Sequence, residues 1–182
     1  LALAAMMNNT GRLYAMDVSE KRLANIKPRI ARAGVGNITP QRLDHERDLR
    51  LKKLWNKADR VLVDAPCSGL GTLRRNPDLK YRQSNASIDE LVTLQARILD
   101  SAAHLVKRGG YLVYATCSVL AEENQNQIQN FLANHAEFSL VNCSDLLKSN
   151  KIELDTGEFL QLNPATHHTD GFFAAVMQKS SS

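Results

Sequence analysis

Two short apolar runs, each ending on a cysteine motif, do most to limit what this chain can fold into. Arg60-Val-Leu-Val-Asp64 is a continuous run of the kind buried on both faces of a parallel sheet, and it leads into Ala65-Pro66-Cys67. Tyr111-Leu-Val-Tyr-Ala-Thr116 is the second, and it leads into Cys117-Ser118. A shorter run over 13–17 also ends on a carboxylate, Asp17. Between these candidate strands lie helical patterns. Ser19 can cap a helix reaching about Ala33, with Gly34 as its stop. Ser87 and Glu90 form a capping box opening a helix through Leu91, Val92, Gln95, Ile98, Leu99 and Ala102, stopped by Gly109-Gly110. Pro28 is expected to kink or shorten the first helix, and Pro40 weakens a strand over 38–43. Residues 121–134 read as a helix, 138–141 and 171–178 as strands, and 148–169 mostly as loop. This alternation predicts an α/β sheet with right-handed crossovers. Ligands of such sheets bind beyond the carboxyl ends of the strands, where Asp17, Asp64 and Cys117 fall.

The 182 residues, 43% of them hydrophobic, predict one domain over 1–179 and a disordered serine tail over 180–182. Leu1 and the residues after it read as the inside of a helix, so the chain is expected to begin partway through a structural unit. Three cysteines cannot all pair and nothing resembles a secretory signal, which predicts a reduced, cytoplasmic setting. No apolar run approaches membrane-spanning length. The adjacent His167 and His168 point in different directions and no further ligand completes a zinc set, so no metal is expected. The net charge of +4 is modest but concentrated. Arg74, Arg75, Lys80 and Arg82 face only Asp78 and follow directly on the first cysteine turn, a candidate phosphate-binding loop.

One strand-end cysteine would be an ordinary core residue. Two, one of them preceded by a carboxylate, suggest covalent chemistry on an electrophilic ring. Cys117 is expected just before a helix, with Ser118 as its cap, where the helix end favours the nucleophilic thiolate. A thiolate adding at carbon 6 of a pyrimidine makes carbon 5 nucleophilic enough to accept a methyl group. Asp64 could stabilise the charge developing near ring nitrogen 3, and Cys67 could help the thiol leave.

Asp64-Ala-Pro-Cys-Ser-Gly-Leu-Gly-Thr-Leu-Arg-Arg-Asn-Pro-Asp78 closely resembles the RsmB/Sun family of RNA cytosine-5 methyltransferases. So do Tyr114-Ala-Thr-Cys-Ser118 with Glu122-Glu-Asn124, and Asp170-Gly-Phe-Phe173. The resemblance implies a class I S-adenosylmethionine-dependent methyltransferase fold, mostly parallel with an antiparallel strand near the C-terminus. It implies Cys117 as nucleophile and Cys67 as the release residue. It implies Asp17 at the cofactor ribose, Asp44 near the adenine, and Asp64 near the methionine amino group and the base, with Pro66 also in the cofactor site. Arg74, Arg75, Lys80 and Arg82 would contact RNA, and ribosomal RNA is the expected substrate class. The family's glycine-rich, lysine-containing loop and the strand before it do not occur ahead of Leu1, so a partial domain is expected.

Two other readings share the α/β pattern. A non-catalytic RNA-binding module could retain a methyltransferase-like fold. A nicotinamide-dependent enzyme would also use a strand-end acid at Asp17, but hydride transfer gives two strand-end thiols no role.

Overall fold

The computed structural model describes residues 1–181; of the expected 180–182 tail, Ser182 lies outside the described residues. By internal contacts the chain falls into two compact units, Leu1–Arg50 and Leu51–Ser182, where the sequence reads as one domain.

The first unit holds α1 (Ala2–Met6), β1 (Leu13–Asp17), α2 (Glu20–Ala33) and β2 (Ile38–Arg42). Strands β1 and β2 pair in parallel, with Leu13 opposite Ile38 and Asp17 opposite Arg42. The Ser19 hydroxyl caps α2 by accepting from the Arg22 N–H at 3.3 Å, and Gly34 ends it in the left-handed conformation. Contrary to the expected shortening, α2 runs unbroken through Pro28. The proline sits on the exposed side, where the carbonyl of Ala24, deprived of its donor, can turn to water. Pro40 is tolerated because β2 pairs along one edge only.

The second unit contains β3 (Ala58–Asp64), α3 (Leu79–Arg82), α4 (Asn85–Ala103), β4 (Val106–Thr116), α5 (Gln125–Asn134), β5 (Phe138–Val141), α6 (Cys143–Ser149), β6 (Leu160–Leu162), α7 (Pro164–His167) and β7 (Phe172–Lys179). Its sheet has the order β3-β4-β7-β5, with β6 also pairing with β7. Strands β3 and β4 are parallel, and β7 runs antiparallel to β4, β5 and β6. The α/β class and the single reversed C-terminal strand agree with the sequence reading. The expected loop over 148–169 contains β6 and α7.

The apolar run of β3 is not buried on both faces. Val63, Leu112, Tyr114, Ala175 and Met177 join one core with Leu99, Ile128, Phe131 and Phe138, while Leu62 is 53% exposed. The pleat puts alternate residues on opposite faces, and the core built with α4 and α5 covers one of them. Each fully buried Leu of this core is worth about 1.5–3 kcal/mol.

Two expected boundaries move. The capping box belongs to Ser84 and Ser87: Ser84 Oγ accepts from the Ser87 N–H, and Ser87 Oγ accepts from the Ser84 N–H. Helix α4 therefore starts before Ser87, and it ends at Ala103 rather than at the glycines. Gly109 and Gly110 lie inside β4, where the register with β3 jumps from Ala58–Val106 to Arg60–Tyr111. A Cβ on Gly110 would stand 2.9 Å from the Asp59 carbonyl oxygen, so only glycine fits that irregularity. Ser180 is tied down at both backbone groups, donating to the Glu137 carbonyl and accepting from the Gly109 N–H.

Candidate active site

Strands β3 and β4 are parallel neighbours that finish together, with Asp64 opposite Ala115, so the segments after them emerge side by side. One further ladder bond, from Ala65 N–H to the Ala115 carbonyl at 2.9 Å, extends the pairing past Asp64. The result is a thiol pair: Cys67 Sγ lies 3.5 Å from Cys117 Sγ. Both cysteines are half-buried and neither is in a disulfide. Burial pushes the Cys67 thiol up to about 12; the Gly69 N–H opposes the rise, and the hydrogen bond shared with Cys117 adds to it.

The expected helix cap at Ser118 is absent. A short 3-10 turn over Ala121–Glu123 comes first, and α5 begins only at Gln125. The Ser118 hydroxyl instead donates to Glu123 Oε2 and accepts from the Leu120 N–H at 3.1 Å. Cys117 is therefore not a first-turn residue of α5, and the expected helix-end contact does not form. The Thr116-Cys117-Ser118 segment is held by Asn124, which accepts from the Thr116 hydroxyl at 2.6 Å and donates to the Ser118 carbonyl at 3.0 Å.

Glu123 is the main residue that sequence reasoning missed. It is fully buried, yet accepts from the Ser68 N–H at 2.8 Å, the Ser68 hydroxyl at 2.5 Å, the Gln95 amide at 3.0 Å and the Ser118 hydroxyl. It bonds the residue that follows each cysteine and so ties the two turns together. Gln95 also donates to the Pro66 carbonyl at 2.9 Å and is itself held by Gln127 at 3.2 Å. The Tyr114 hydroxyl donates to the Glu123 carbonyl at 2.7 Å, and burial, with Glu123 nearby, pushes that hydroxyl above its ordinary range. A signal existed in the sequence: Gln95 interrupts the apolar stripe of α4, and a buried polar group needs a partner.

The glycines of the first turn bring it against the C-terminal motif. Gly71 N–H donates to the Cys117 carbonyl at 2.9 Å, and Gly171 N–H donates to the Gly71 carbonyl at 2.7 Å. Asp170 forms an ion pair with Arg75. Of the other three predicted basic contacts, Arg82 pairs with Asp78, the Lys80 ammonium lies 4.7 Å from the Tyr81 ring, and Arg74 is exposed.

Asp64 and Pro66 are exposed at the end of β3 and just beyond it. Asp17 and Asp44 belong to the first unit. Asp17, at the end of β1, accepts from the Ser19 N–H at 2.7 Å and from Arg22 at 3.3 Å. Asp44 is exposed and paired with Arg50, and its N–H is caught by the buried Asp48 at 2.8 Å. Hydrogen bonds from Arg50, then from the Asp44 N–H, hold the Asp48 carboxyl well below the usual carboxylate range. Cys143 is the buried first residue of α6. Among the described residues no cluster of His, Cys, Asp or Glu is placed to hold a metal ion, and no helix is long and apolar enough to cross a membrane.

Residues 2–178 match the family model of the 16S rRNA methyltransferase RsmB/F. Ribosomal RNA small subunit methyltransferase B of Shewanella oneidensis is 37% identical over 93% of this chain, and ribosomal RNA small subunit methyltransferase F of Serratia proteamaculans is 34% identical over 97%. The chain spans 38% and 37% of their respective lengths. Among solved structures, NSun6 from Pyrococcus horikoshii with SFG superposes with a TM-score of 0.82 at 29% identity, covering 99% of this chain and 44% of its own. A methyltransferase homolog protein from Pyrococcus horikoshii gives 0.78 at 33% identity, covering 97% of this chain and 56% of its own. On this evidence the chain belongs to the RsmB/F family of 16S rRNA methyltransferases, whose cofactor is S-adenosylmethionine.

Proposed function

We propose that this chain carries the reacting centre for methylation of carbon 5 of cytosine in RNA, with ribosomal RNA as the substrate class. The observation that carries the reading is the pair of thiols 3.5 Å apart at the ends of adjacent parallel strands. The family membership and the methyltransferase B and F relatives support it.

Cys117 Sγ adds to carbon 6 of the ring, and the displaced electron pair makes carbon 5 nucleophilic. A proton held between the Asp64 carboxyl, exposed at the rim, and ring nitrogen 3 moves onto the nitrogen as negative charge develops there during addition. S-adenosylmethionine supplies the electrophilic methyl group. Once carbon 5 carries the methyl group, a water molecule takes its proton, the C–H electron pair re-forms the carbon 5–carbon 6 double bond, and the bond between Cys117 Sγ and carbon 6 breaks with its electron pair returning to sulfur. A Cys67 thiol held up to about 12 stays protonated at neutral pH, so it can donate a hydrogen bond to the departing sulfur. A base stacked within a helix must first be flipped out or presented in a loop.

The carboxylates fit the cofactor's donors. Asp17 Oδ1 is turned by Ser19, and the group is still partly exposed, leaving acceptor capacity for a ribose diol. Asp44 would meet the adenine edge.

The test is trapping on a cytosine-containing RNA with S-adenosylmethionine in the full-length protein. Cys67→Ala should accumulate a covalent protein–RNA adduct and Cys117→Ala should form none. The reverse pattern would make Cys67 the nucleophile. Absence of both adduct and cofactor binding would favour a non-catalytic RNA-binding module.

A further inference from the structure

At the opposite end of the second unit's strands, a cavity of about 590 Å³ is lined by Asn56, Lys107, Arg108, Glu137, Lys179 and Ser180. It lies near the start of β4, roughly 30 Å along that strand from Thr116 at the usual rise per residue. Nothing in the proposed methyl transfer uses it.

Lys179 is fixed there: its ammonium donates to Asn56 Oδ1 at 3.1 Å, to the Val106 carbonyl at 3.1 Å and to the Ala103 carbonyl at 3.4 Å. Lys107 pairs with Asp59. Arg108 is exposed and makes no ion pair among the described residues. Beside Asn56 stands Trp55, 43% exposed, its ring stacked on His104 at 5.2 Å. The two stretches are joined through the Asn56 N–H, which donates to the His104 carbonyl at 2.8 Å. Lys52 is 5.8 Å from the indole centroid, near the outer limit of a cation–π contact and easily displaced. Among the lining residues Lys107, Arg108 and Lys179 outnumber Glu137, and Lys52, Lys53 and Lys57 lie in the stretch just before β3.

We propose that this end of the sheet is a second RNA contact surface, in which Arg108 and Lys107 bind backbone phosphates and Trp55 stacks on an unpaired base. A positive groove beside an exposed aromatic ring braced from behind is the combination that holds single-stranded nucleic acid without sequence preference. An anionic membrane would be met by charge as well, but it gains little from a single ring. The inference rests on RNA as the substrate class, and places a distant part of the same folded RNA at the far ends of the strands.

Trp55 is the sole tryptophan in the chain, so its emission reports directly on this surface. The full-length protein, with any other tryptophan replaced by Phe, is titrated with a short fluorescein-labelled oligouridylate, which lacks the target base. Anisotropy reads total binding and indole emission reads contact at Trp55. Quenching should accompany binding and fade with salt. Arg108→Ala should weaken binding and lower the log–log salt slope by about one. The same Arg108→Ala change in a Cys67→Ala background should still form the Cys117 adduct on cytosine-containing RNA at saturating concentration. That readout separates failure of this surface from failure of the methyl-transfer reading. Binding with unchanged indole emission and an unchanged slope in Arg108→Ala overturns the inference. So does the absence of oligouridylate binding, or quenching by phosphatidylserine vesicles but not by RNA.

Discussion

Gly71 and Gly171 meet backbone to backbone: a Cβ built on Gly71 would stand 2.3 Å from the Gly171 carbonyl oxygen and 2.6 Å from that of Cys117. No flexible side chain can yield at that point, because the obstructing atoms are main chain. The approach presses the Cys67 turn, the Cys117 turn and the start of β7 into one unit. Gly71→Ala should therefore push the first turn away from Cys117. The expected result is a loss of about 1–3 kcal/mol in equilibrium urea unfolding together with loss of the Cys117–RNA adduct. An unchanged adduct yield would show that the two turns need not be clamped.

The positions of the two cysteines were legible because an apolar run that stops at a polar motif marks a strand end. Parallel pairing of β3 and β4 then makes those ends neighbours. What joins them was not legible. Glu123 looks like a surface residue within Glu122-Glu-Asn124, and only the folded chain turns it inward onto Ser68, Ser118 and Gln95. The same limit explains the Ser118 error. A Thr-Cys-Ser sequence ahead of a helical pattern suggests a cap, but the hydroxyl has a buried carboxylate within reach, and the helix starts later. The onset of β4 at Val106 was hidden by Lys107-Arg108-Gly109-Gly110, which carries no strand period.

Glu123 should behave differently under two substitutions. Glu123→Ala strips partners from the Ser68 N–H and the Gln95 amide in a site closed to water. Each stranded donor costs about 1–3 kcal/mol, so the loss should approach the sum of two. Glu123→Gln keeps one carbonyl oxygen for those donors and sets its NH2 toward the Ser68 and Ser118 hydroxyls, which can rotate to accept. Its loss should be clearly smaller in urea unfolding. Equal losses would mean that the negative charge, not the hydrogen-bond count, holds the turns.

The four basic residues after the cysteine turn should not contribute equally to RNA binding. Arg75 is engaged by Asp170 and Arg82 by Asp78, whereas Arg74 and Lys80 have no carboxylate partner among the described residues. Arg74→Ala and Lys80→Ala should each lower the salt slope of RNA affinity by about one, and Arg82→Ala by less. Arg75→Ala should act mainly on the turn, lowering adduct yield more than the slope. Affinity measured across a salt series for the four variants checks the ranking; an equal slope change in all four contradicts it.

The Cys67 thiol also leaves a signature in the pH dependence of stability. Its ordinary value of 9.0 rises to about 12 in the folded chain, chiefly through burial. Between those values the folded chain holds a proton that the unfolded chain has released, so stability falls as pH rises through that window. Below about pH 9 both states are protonated and the contribution is fully present. Cys67→Ala should remove this component, so that the Tm of the wild-type chain declines more steeply than that of the variant from about pH 9 upward. Lysine titrations are common to both chains and cancel in the difference. Parallel Tm curves would mean that Cys67 ionises as freely in the fold as out of it.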